Sequence, residues 1–157
     1  MSARSEHDAL PALSSLGPHA LMVVWSVRQR LGGGPECPAL VASFRRVFGL
    51  AAIEEALAAF EAFYLALSEH ILEDFELMPP GCGRVSGDES RLAELCEAIR
   101  LGHPRRARAL AAAAVGAGHA GRLCQTLEHF AALVPGRARG WPVHAMANPP
   151  GRTPTYH

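Results

Sequence analysis

The chain contains no lysine: all fifteen basic residues are arginine, and fifteen acids balance them. Zero net charge leaves no basic excess of the kind that grips a phosphate backbone, which argues against a nucleic-acid partner. Aromatic residues make up only 6% of the chain, whereas Ala and Leu dominate an apolar fraction of 49%. Strands reward aromatic and β-branched side chains and helices reward Ala and Leu, so this composition predicts an all-α protein. No hydrophobic run, "ALMVVW" at 20–25 included, approaches the roughly 20 residues that cross a bilayer. The opening "MSARSEHDALPAL" also lacks the basic-then-apolar order of a secretion signal. These absences argue against membrane insertion and predict a cytoplasmic protein.

Site motifs are missing too. Cys37, Cys82, Cys96 and Cys124 have no C-x-x-C spacing, and two of them fall in apolar helical stretches, which argues against a disulfide framework. No two histidines stand at i, i+4. Neither a glycine-rich phosphate loop after a strand nor a GxSxG elbow is found. We therefore expect a non-enzymatic protein with no cofactor.

What the chain does contain is helix punctuation. Pro18 opens "PHALMVVWSVRQRL", which "GGG" at 32–34 ends, and its apolar middle around Trp25 predicts a well-covered helix. Pro38 opens a second helix whose Leu40, Val41, Phe44, Val47 and Phe48 share one face. The stripe Ile53, Leu57, Phe60, Tyr64, Leu67, Ile71, Phe75 predicts a long helix over about 50–77, stopped by Pro79, Pro80 and Gly81. Three further helices are expected over about 88–101, from Pro104 to Gly116, and over about 119–134. The expected architecture is a single compact bundle of five to six helices around one long central helix. It spans 18–134, behind a polar arm at 1–17 and ahead of an extended tail at 135–157 that holds five prolines and three glycines.

Charge is unevenly spread along this plan. Residues 50–77 hold seven acids and no arginine, while 98–139 hold seven arginines against Glu128 alone. The segments either pack side by side through opposite charge or leave the basic half to steer an acidic partner.

The break "MPPGCGRVSGDES" at 78–90 carries the one candidate site. Ser86 and Glu89 have the spacing of a capping box, and Asp88 suits the first helical turn. Cys82 with His70, Asp88 and Glu89 also form a candidate transition-metal or reactive-thiol set, because thiolate, imidazole and carboxylate are all acceptable ligands. The order of a long helix, "GCGRVSGDE" and then "LAELCEAIRLGHPRRARAL" resembles an uncharacterised group of small helical bacterial proteins over roughly residues 40–134. That group carries a Gly-Cys-x-Cys segment before an acidic pair; here Arg84 stands at the second cysteine, which weakens any paired-thiol role, and the resemblance implies no activity.

Two functions follow as expectations. The first is an interaction or regulatory module that meets a protein partner, or a second copy of itself, through Arg105, Arg106 and Arg108 of "HPRRARAL" or through Trp141 and Tyr156 in the tail. The second is a small redox or metal-binding protein built on Cys82.

Overall fold

The structure, a computed structural model, describes residues 10–135. Trp141 and Tyr156 lie outside the described residues. Within them the chain forms a bundle of six α-helices and no strand: α1 (Pro18–Gly33), α2 (Pro38–Phe48), α3 (Ile53–Ser68), α4 (Gly87–Arg100), α5 (Pro104–Val115) and α6 (Ala120–Leu133). The expected bundle is therefore observed. No helix among the described residues is long and apolar enough to cross a membrane.

α1, α2 and α5 each begin with proline in the first turn, where the missing amide hydrogen has no helical partner to lose. α1 is enclosed as its composition predicts, with every side chain from His19 to Gln29 buried. Its glycine terminator has two uses. Gly34 adopts φ 76°, the left-handed conformation that stops the helix. Gly33 lets Cys37 approach, since a Cβ there would lie 2.7 Å from the Cys37 sulfur.

The third helix is shorter than its hydrophobic stripe suggests, because α3 ends at Ser68 and residues 69–86 run as irregular chain. Continuing it would place Glu69, Glu73, Asp74 and Glu76 at the negative end of the helix dipole, and its last turn has no base to offset them. Tertiary partners also compete for the backbone. The Leu72 amide donates to the Ala114 carbonyl of α5 at 3.1 Å, and the Glu76 amide donates to the Asp88 carboxylate at 2.8 Å. Ile71, Phe75 and Leu77 still pack on the core, so the stripe identifies burial correctly and conformation incorrectly.

α2, α3 and α6 are joined by a ring cluster. Phe130 lies 5.4 Å from Phe60 and 5.8 Å from Phe44, centroid to centroid, within the range of favourable aromatic pairing. α5 instead buries Ala107, Ala111 and Ala114, small side chains that let its axis settle close to α4 and α6. The segment before α1 is also docked: Leu13 is fully buried in a short 3-10 turn, and its amide donates to the Gly83 carbonyl at 2.8 Å.

His19, at the start of α1, is buried with its Nδ1 unpartnered. Burial, reinforced by the positive charge of Arg100, lowers its pKa; Glu97 and a hydrogen bond with the Val134 backbone oppose this without reversing it. The unfolded chain thus takes up this proton first. Below about pH 6.5, the ordinary imidazole value, stability should fall with acid, whereas a His19→Gln variant should lose less between pH 7 and pH 5. Urea unfolding across that range measures the difference, and parallel curves for the two proteins would contradict it.

Candidate functional site

The break at 78–90 is organised by an arginine from a distant helix. Arg28, in the middle of α1, and Glu89, in the first turn of α4, form an ion pair whose two side chains are both 0% exposed. Arg28 Nε donates to Glu89 Oε2 at 2.6 Å and Nη2 donates to Oε1 at 2.8 Å, a bidentate fork. The same guanidinium reaches the carbonyls of Cys82, at 2.7 Å, and Arg84, at 2.5 Å. Four of its five N–H groups are thereby used.

Glu89 has a second task. Its Oε1 accepts from the Ser86 amide at 3.0 Å while the Ser86 hydroxyl accepts from the Glu89 amide at 3.1 Å, so the expected capping box is present. The Ser86 hydroxyl also donates to the Glu76 carbonyl at 2.7 Å. The Val85 amide donates to the Pro11 carbonyl at 2.9 Å, which ties the same loop to the segment ahead of α1. One buried pair thus holds α1, α4 and the loop between α3 and α4.

The four candidate ligands are not brought together for a metal. Glu89 is committed to Arg28 and Ser86, and Asp88 to the Glu76 amide and to Arg91 at 2.7 Å. The half-buried Cys82 sulfur accepts from the Arg84 amide at 3.4 Å. His70 stacks face to face on His119, with centroids 3.4 Å apart and planes within 3°. Among the described residues, no group of three or more His, Cys, Asp or Glu is placed to hold a metal ion. Burial pushes the Cys96 thiol up to about 12 and also raises that of Cys124.

The arginines of the C-terminal half are placed differently. Among the described residues of this half, Arg122 alone meets an acid of the 50–77 segment, Glu69, at 3.6 Å in an exposed pair. Arg100 pairs with Glu97 on its own helix, and Arg106 reaches Glu94 at 3.2 Å, again exposed. Arg105 and Arg108 have no ion-pair partner among the described residues, so the charge asymmetry is not consumed by packing.

Arg108 lines a groove of about 420 Å³ where α4 ends and α5 and α6 meet. Ala98, Ile99 and Ala107 form its apolar floor; His103 and Arg108 stand on one wall and Cys124, Gln125 and Glu128 on the other. It adjoins a shallower depression at Arg105 and Arg106 through the shared turn Gly102–Pro104. Gly121 in α6 makes room for Arg108, since a Cβ there would sit 3.1 Å from Nη2. The run "HPRRARAL" identifies these arginines in sequence, but the groove beside them needs α4 and α6, which periodicity alone does not align. Comparison of the chain with protein families, curated proteins and solved structures found no match to any of the three.

The buried pair has a measurable signature. Arg28→Met, which strands the Glu89 carboxylate, should cost about 3–5 kcal/mol. Arg28→Met combined with Glu89→Gln should cost clearly less than the sum of the two single changes, because neither half is then left as an uncompensated charge. Urea unfolding of the four proteins gives the coupling, and additive losses would contradict it.

Proposed function

We propose that this protein is a non-enzymatic interaction module that recruits a protein partner through the basic end of α5. The observation that carries this reading is the pair of exposed arginines, Arg105 and Arg108, which have no ion-pair partner among the described residues, beside a groove with an apolar floor. Buried apolar contact with a charged rim is the usual composition of a transient protein interface. Leu101, 64% exposed on the turn between α4 and α5, adds apolar surface next to this rim. The alternative of a redox or metal site on Cys82 is disfavoured by the commitment of Glu89 to Arg28 and of Asp88 to the loop backbone.

Affinity capture with the full-length chain from its native cell tests the proposal. A specific partner should be recovered with wild type and lost with Arg105→Glu, Arg106→Glu and Arg108→Glu combined. The variant should keep the wild-type helical circular dichroism and thermal midpoint, because these side chains are exposed and rim charges contribute little to folding. Recovery of every partner by the folded triple variant would refute it.

A further inference from the structure

The groove has a chemistry of its own that narrows the partner, an inference that rests on the interaction reading above. Three positive features lie in it or next to it. Arg108 lies against α6 at Gly121, where a Cβ would sit 3.1 Å from its Nη2. Arg105 stands in the adjoining depression with no acid paired to it among the described residues. Between them is the start of α5, whose first turn contains no acidic residue and whose cap, His103, makes no side-chain cap bond. The backbone N–H groups of residues 105 and 106 are therefore open to an acceptor, and the helix dipole adds to their pull on an anion.

The floor selects among anions. A nucleic-acid backbone presents successive phosphates and needs a continuous basic track, whereas Ala98, Ile99 and Ala107 interrupt the charge of this groove. A volume of about 420 Å³ is large enough to take one or two side chains. Acidic segments are commonly read by arginine clusters of this kind.

We propose that the α4–α5–α6 groove binds a short acidic peptide segment of a partner protein, with carboxylates on Arg108 and at Arg105 beside the α5 N-terminus, and an apolar side chain between them on the alanine-rich floor.

The test uses the full chain and an array of acetylated heptapeptides in which Asp and Glu flank one central Leu, Ile, Val, Phe or Met. A matched array replaces each acid with its amide, and a ten-nucleotide oligothymidylate serves as the phosphate-backbone probe. At least one acidic peptide should bind with affinity that falls as salt rises. Amide shifts on binding should centre on Gly102, Ala107 and Gly121. Its amide counterpart and the Arg105→Ala, Arg108→Ala double variant should each bind at least tenfold more weakly. The proposal is overturned if no acidic peptide binds, if amide and acidic peptides bind alike, if the oligonucleotide binds more tightly, or if the shifts map elsewhere. Should a cellular partner be captured and its capture survive the double alanine variant, the interaction reading stands and the groove assignment alone falls.

Discussion

A guanidinium and a carboxylate shut away from water, Arg28 against Glu89, constrain the rest of this structure. Removing two such ions from water costs several kcal/mol each, and only mutual attraction with nearly complete hydrogen bonding offsets it. That requirement explains why so many backbone groups gather at one place. The carbonyls of Cys82 and Arg84 turn inward to take the remaining donors, the Ser86 amide completes the Glu89 shell, and the chain from 69 to 86 is bent to allow it. A pair so demanding is weak as a source of net stability and strong as a source of register, since a displacement of α4 along α1 would leave a charge bare.

Around this lock the core divides into two styles of packing. Large rings join α2, α3 and α6, where Phe44, Phe60, Phe63 and Phe130 are all fully enclosed. Small side chains carry α5, which meets α4 and α6 through alanine and leaves its arginines outside. The groove lies at the start of this alanine-packed helix. It opens where the first turn of α5 meets the end of α4 and the middle of α6, with Arg108 and Glu128 among the residues that line it.

Local punctuation made much of the fold legible in the sequence. Proline at 18, 38 and 104, glycine at 34, 49 and 116, and the Ser86–Glu89 box mark helix ends by steric and hydrogen-bonding rules that act within a few residues. The end of α3 was not legible, because Ile71 and Phe75 keep the helical spacing while Ala114 and Asp88 take backbone bonds from across the fold. The pairing of Arg28 with Glu89 spans 61 residues and has no local signature. One signal was nonetheless present: an arginine within a helix otherwise expected to be well covered must find an acid. Of the candidate residues, Asp88 and Glu89 proved to have structural tasks, His70 met a partner that spacing could not indicate, and the basic run gained meaning only once α6 lay beside it.

The central claim is that the segment between α3 and α4 is a connector held rigidly by the buried pair. Native-state hydrogen exchange tests it most directly, through the amides of Leu13, Val85 and Ser86, which donate respectively to Gly83, to Pro11 and to the Glu89 carboxylate. If the account is right, all three exchange as slowly as the core amides of α1 and α4, opening only with the bundle as a whole. Exchange at the rate of an unstructured loop, with α1 and α4 still protected, would contradict it.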